Sequence, residues 1–300
     1  MKERILRFGE GGSLLGLVTL PSTTPAPGST GLVLLNAGII HRIGPNRLNV
    51  KLARRAAKVG TAALRFDLSG LGDSPPASGA VGFEKQAVRD MAAALDALNA
   101  AAGCSRFVLV GLCSGADNAM LAALADPGVS GLVQLDPHAY QTAEAKLAYL
   151  APRALDPARW GRAIARGVSR AREKIEGALT DVPENGATQP QADDGNGRVT
   201  PPREEFRAGL RALLARGVRI SMIYSKTVET VINADHQFYR AFPELAGKGG
   251  LDVRVWGHVD HTYTTLAAQA QLGDYLIAFL QAMSGPSHHD TSNSTTRAAL

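Results

Sequence analysis

Hydrophobic positions along this chain follow two alternating rhythms. From Gly31 onward, short runs of aliphatic and β-branched residues at 31–36, 61–67, 106–112 and 130–135 alternate with segments whose apolar residues recur at helical spacing, about 47–59, 84–101 and 115–125. A strand that is apolar at nearly every position is covered on both faces. The pattern therefore predicts a mostly parallel, doubly wound α/β sheet with helices on either side. Ahead of it, 3–9 and 13–20 read as strands joined by Glu10-Gly11-Gly12, the composition of a tight turn, so the chain opens with an antiparallel hairpin.

After Leu135-Asp136-Pro137 the alternation lapses. Residues 139–180 are rich in Ala, Leu and Arg at helical spacing, and 181–201 are polar and rich in Gly, Pro, Asp, Asn and Gln. This predicts a helical cap inserted over 138–201, its second half a mobile loop. The alternation resumes with a helix at 202–215, a strand at 218–224, a helix around 235–245, a strand at 251–256 and a long helix at 264–283. One domain, 1–283, follows, with its core in 1–137 and 202–283. The Ser/Thr/His/Asn-rich residues 284–300 read as a disordered tail, which sets aside His288 and His289 as site residues.

Composition changes this picture little. With 45% hydrophobic residues in 300, the chain can bury a large core. No run approaches the roughly 18 apolar residues of a membrane span, and no apolar segment follows Met1-Lys2-Glu3-Arg4-Ile5, so a cytoplasmic protein is expected. The net charge of +5 suits an acidic partner such as a carrier protein or an anionic thioester, but the Arg residues are dispersed and no nucleic-acid-reading module is visible. The two cysteines, 104 and 113, flank the strand 106–112, whose extended length of roughly 20 Å keeps them from forming a bridge.

The chemistry centres on Phe107-Val108-Leu109-Val110-Gly111-Leu112-Cys113-Ser114-Gly115-Ala116. An apolar strand ends at a Gly, a nucleophilic side chain follows, and a second Gly leads into helix-forming sequence. Centred on Cys113, the small residues fall two before and two after, as a strained strand-turn-helix requires; centred on Ser114, Leu112 and Ala116 would occupy those positions. A thiol nucleophile needs a base, and Val259-Asp260-His261-Thr262-Tyr263 supplies His261 between the last strand and the last helix. The carboxylate that would orient His261 has three candidates. Glu229 follows the strand 219–224 within one short loop and comes first; Asp235 lies further on, and Asp136 ends the preceding strand.

These motifs resemble the α/β-hydrolase superfamily. Gly111-Leu112-Cys113-Ser114-Gly115 is similar to its nucleophile elbow, with Cys in place of Ser. Asp67-Leu68-Ser69-Gly70-Leu71-Gly72-Asp73-Ser74 and Asp260-His261-Thr262-Tyr263 resemble the serine aminopeptidase-like branch. Together with Asn36-Ala37-Gly38, the set also resembles hydrolases associated with exosortase systems; dienelactone hydrolases share the Cys but not the Asp-His-Thr context. The resemblance implies an oxyanion hole from the N–H groups of Ile39 and Ser114, a structural role for Asp67, and a chain order of nucleophile, acid, histidine. No cofactor or metal is expected. Because a thiol exchanges readily with thioesters, the expectation is a thioesterase or acyltransferase acting on carrier-protein- or CoA-bound acyl groups. Hydrolysis of activated esters or lactones is the alternative chemistry, and a non-catalytic ligand-binding protein of the same fold is the alternative class.

Overall fold

In a computed structural model, residues 1–79, 81–154 and 198–284 are described. Their strands are β1 (Lys2–Phe8), β2 (Leu14–Leu20), β3 (Thr30–Leu34), β4 (Ala63–Phe66), β5 (Arg106–Leu112), β6 (Val129–Leu135), β7 (Arg219–Ser225) and β8 (Leu251–Trp256). They form one sheet in the order β1-β2-β4-β3-β5-β6-β7-β8. β1 pairs antiparallel with β2, and β2 with β4; every other neighbouring pair is parallel. The opening hairpin and the alternating α/β body are thus as the hydrophobic pattern predicts.

The helices are α1 (Leu48–Lys58), α2 (Phe83–Ala102), α3 (Ser114–Ala125), α4 (Ala143–Ala154), α5 (Arg203–Ala215), α6 (Asp235–Ala241) and α7 (Leu266–Ser284). Because strand side chains alternate between faces, β5 sends Phe107 and Leu109 into the core layer that holds residues of α2, α3, α5 and α6, and Val108, Val110 and Leu112 into the layer with α1 and α7. Leu48, Leu52 and Ala56 of α1 and Leu272, Leu276 and Leu280 of α7 keep the four-residue spacing that turns one helical face to the sheet. Among the described residues no helix is long and apolar enough to cross a membrane.

The helix expected over 235–245 is shorter. α6 stops at Ala241, and Pro243–Leu245 form a separate 3-10 turn. Pro243 has no N–H to continue the ladder, and Phe242 before it is driven out of helical geometry, to φ −134° and ψ 68°. Of the expected insertion, 138–154 with α4 and 198–201 are described; residues 155–197, with the Arg162–Arg172 series, and the tail from 285 lie outside the described residues.

At the junction of β5 and α3, backbone lies directly on backbone. A Cβ on Gly111 would sit 2.1 Å from the Gly115 carbonyl oxygen, and one on Gly115 would sit 2.2 Å from that of Asn36. Neither neighbour is a flexible side chain that could yield. Gly115→Ala should therefore lower stability by about 3 kcal/mol or more in urea unfolding. Gly249→Ala, with open space around the new methyl, should be neutral or stabilising by up to about 1 kcal/mol.

Candidate active site

Cys113 stands where β5 turns into α3, with φ 56° and ψ −124°. A side chain at positive φ costs roughly 1–3 kcal/mol and persists only where its surroundings hold it. Here the Cys113 N–H donates to the Leu135 carbonyl of β6 at 2.8 Å, while its own carbonyl accepts from the Ala116 N–H at 2.8 Å. One side of the residue is thereby held by the sheet and the other by the helix, and the half-buried thiol is left at the carboxyl edge of the strands. Cys104 is fully buried below, and desolvation pushes its thiol pKa up.

His261 reaches this edge from the loop between β8 and α7. Its N–H donates to the Thr227 hydroxyl at 3.2 Å, and Asp260 shapes the turn by accepting from the Thr264 N–H at 2.9 Å and the Thr262 hydroxyl at 3.1 Å. Asp260 is thus occupied with its own loop. The carboxylate on His261 is Asp136: Nδ1–H donates to Asp136 Oδ2 at 2.6 Å. Asp136 is buried at φ 48° after β6, and it also accepts from the Ser225 N–H at 2.6 Å and the Ser225 hydroxyl at 2.7 Å.

The acid expected first, Glu229, is not the one hydrogen-bonded to the histidine ring. It follows a 3-10 turn, Lys226–Val228, and its carbonyl accepts from the Asn233 side chain. Asp235 begins α6 and accepts from the Val255 N–H of β8 at 2.6 Å. The reason lies at the end of β7, where Ser225 rather than a carboxylate stands and supports Asp136 across the strand boundary. A strand run ending in Asp-Pro was the available signal for Asp136. His258 is exposed and lies 2.9 Å from Gln271 Oε1.

The Cys113 thiol is hydrogen-bonded to His261, and this bond is the main cause that lowers its pKa; the Arg198 charge adds to it and burial opposes it. The hydrogen bond to Asp136, followed by that to Cys113, raises His261 to about 10. Both directions favour the same state, a thiolate beside an imidazolium.

The loop after β3 forms the facing wall. Buried Asn36 donates from Nδ2 to Asp67 Oδ1 at 3.1 Å and to the Ile40 carbonyl at 2.8 Å, and accepts from the Leu68 N–H at 3.1 Å. Asp67, fully buried, also accepts from the N–H groups of Arg42 at 2.6 Å and Asp73 at 3.1 Å and pairs with the Arg42 guanidinium. A Cβ on Gly72 would lie 2.4 Å from that carboxyl. The loop N–H that meets the elbow belongs to Gly38, which donates to Ser114 Oγ at 2.9 Å. Ile39, the expected donor, follows at the exposed turn, which closes through the Ile40 N–H and the Ala37 carbonyl, and it lines the cleft with Gly38 and Ser114.

A cleft of about 440 Å³ opens between Gly38, Ile39, Cys113, Ser114, Arg198 and His261. Arg198 stands at the start of the described stretch that leads into α5. It forks onto Asp117 of α3 with two bonds of 2.5 Å, donates to the Asp136 carbonyl at 3.2 Å, and shares Asp117 with His138 at 3.1 Å. Nothing in the local sequence marks this residue, whose partners lie 81 and 62 positions away. Ligand atoms of His41, Asp67 and Asp73 lie within 4.8 Å of one another, but Arg42 already bonds both carboxylates and supplies the positive charge there.

Three comparisons place this geometry. Residues 30–191 match the family described as Serine aminopeptidase, S33. No curated protein matches the sequence. Among solved structures, the chain is similar to an alpha-beta serine hydrolase homologue from Coxiella burnetii (14% identity, TM-score 0.53, 93% of this chain and 97% of that one). It is also similar to alpha/beta hydrolase domain-containing protein 10 from mouse (18%, 0.53, 95% and 100%) and to proline iminopeptidase from Mycobacterium smegmatis (16%, 0.52, 94% and 99%). At such identities these likenesses concern the fold. Since the family match spans more than half of the chain and the sheet has the matching architecture, the protein belongs to the serine aminopeptidase S33 family of α/β-hydrolases.

Proposed function

We propose that the protein is a cysteine-nucleophile acyl-processing enzyme, a thioesterase or acyltransferase whose donors are acyl thioesters carried by a carrier protein or coenzyme A. The observation that carries this reading is the line Cys113–His261–Asp136, in which a strained thiol at the strand edge is bonded to an imidazole held from behind by a buried carboxylate. The family is named for serine, and residue 113 is cysteine. Attack by the Cys113 thiolate on a thioester carbonyl forms a new C–S bond and moves the carbonyl π pair onto oxygen. Collapse expels the donor thiolate, which takes the proton of the His261 imidazolium. One thioester has replaced another, a nearly isoenergetic exchange. Neutral His261 then takes the proton of water or another acceptor as that nucleophile attacks the acyl-Cys113 carbonyl, and collapse breaks the acyl–sulfur bond, releasing the acyl product and restoring the Cys113 thiolate beside the His261 imidazolium.

The insertion over 138–201 is the proposed acyl cover. Its described helix α4 leaves Leu147 and Leu150 exposed, an apolar surface suited to a hydrocarbon chain, and Arg198 attaches its returning end beside the nucleophile.

Incubation with a small activated thioester should give an acyl adduct that mass spectrometry places on Cys113. Cys113→Ala and His261→Ala should abolish turnover while circular dichroism remains native. An adduct on Cys104 alone would remove the enzyme reading, and acylation by aryl esters but not by thioesters would move the substrate class to activated esters.

Asp136→Asn should slow turnover at least about tenfold, and Glu229→Gln should have the smaller effect. Steady-state rates for the two variants decide between the carboxylates.

The protonation state makes a further prediction. Because the thiolate form of Cys113 is present above a lowered pKa, alkylation by iodoacetamide should reach half its maximum at a pH below the ordinary thiol value. The pair should persist until His261 loses its proton near pH 10. In His261→Ala the midpoint should move up, and an unchanged midpoint would mean that the imidazole does not hold the thiolate.

A further inference from the structure

The hydroxyl of Ser114, the residue after the nucleophile, faces the same cleft as the thiol. Its oxygen accepts the Gly38 N–H at 2.9 Å, and among the described residues that is its hydrogen-bond partner. A hydroxyl that accepts a hydrogen bond keeps its own proton for donation. The backbone N–H of Ser114 is among the causes that lower the Cys113 thiol pKa, and both residues line the same cleft. The position of Gly38 is tightly set. Asn36, two residues before it, is bonded to Asp67, and its carbonyl lies so close to the start of α3 that Gly115 cannot carry a Cβ.

We propose that the Ser114 hydroxyl is a side-chain oxyanion donor that relays the polarising effect of the Gly38 N–H to the acyl oxygen; this rests on the acyl-transfer reading above. As the Cys113 sulfur bonds to the carbonyl carbon and the π pair moves to oxygen, that oxygen accepts from the Ser114 N–H and from the Ser114 O–H. Donation from Gly38 to Ser114 Oγ makes the O–H a stronger donor, since chained hydrogen bonds polarise one another. The proton stays on Ser114, and on collapse the leaving thiolate is protonated by His261. The loop thus acts on the oxyanion one bond removed, through a residue of the elbow itself. This assigns a catalytic part to a side chain whose residue was expected to contribute only its backbone.

The test compares two reactions of one thiol. Acylation of Cys113 by a small activated thioester builds up negative charge on oxygen, whereas alkylation by iodoacetamide displaces iodide and forms no oxyanion. In Ser114→Ala the acylation rate should fall on the order of a hundred- to a thousandfold, the scale set by removal of one oxyanion donor, while the alkylation rate at the same pH stays within about twofold. Ser114→Thr, which keeps the hydroxyl, should recover most of the acylation rate. Equal or faster acylation in Ser114→Ala would overturn the proposal, because the hydroxyl would then merely occupy the Gly38 donor. So would a parallel fall of both rates, which marks a structural role, or a Ser114→Thr as slow as the alanine variant. If wild-type Cys113 is alkylated but never acylated, the acyl-transfer reading itself falls. A normal wild-type burst with an unaffected Ser114→Ala removes only the relay.

Discussion

The buried carboxylate of Asp136 is the junction on which the site depends. It accepts the Ser225 N–H, the Ser225 hydroxyl and the His261 ring N–H, so the ends of β6 and β7 and the loop after β8 are drawn to one pair of oxygens. A buried carboxylate needs donors to replace the water it has lost, and hydrogen bonds to a charged group contribute about 1.5–3 kcal/mol each. The positive φ of Asp136 belongs to the same constraint, since the chain must turn at once after β6 for the side chain to reach β7. The imidazole inherits its orientation from this arrangement.

A second buried carboxylate does the same for the opposite wall. Asp67 gathers Asn36, Arg42 and Asp73, and so fixes the loop that presents Gly38 to the elbow. The two acids have different partners. Asp67 pairs with the Arg42 guanidinium and accepts backbone N–H groups, with the His41 ring 3.6 Å away, whereas Asp136 is hydrogen-bonded to the His261 imidazole.

Under the proposed function, a thiol in place of a serine hydroxyl would alter what the imidazole and the carboxylate must do. A thiol gives up its proton more readily than an alcohol, and the raised His261 pKa and the lowered Cys113 pKa both favour the proton on the imidazole. Arg198, from the stretch that leads into α5, adds positive charge beside the Cys113 thiol while its fork holds Asp117 near the start of α3.

The order of strands and helices, the opening hairpin and the elbow centred on Cys113 were legible in the chain alone. Each is written in short-range pattern: period-two and period-3.6 burial, turn-forming glycines, and a nucleophile between two residues without side chains. His261 was legible for the same reason, as a histidine in the loop before the last helix. The acid was not, because Glu229, Asp235 and Asp136 are equivalent as letters near strand ends. Which of them meets the ring depends on Ser225 standing across the boundary between β6 and β7. The Gly38 donor and Arg198 were beyond the sequence too, since each is defined by a contact more than 60 residues away, and only the packed tertiary structure brings such partners together.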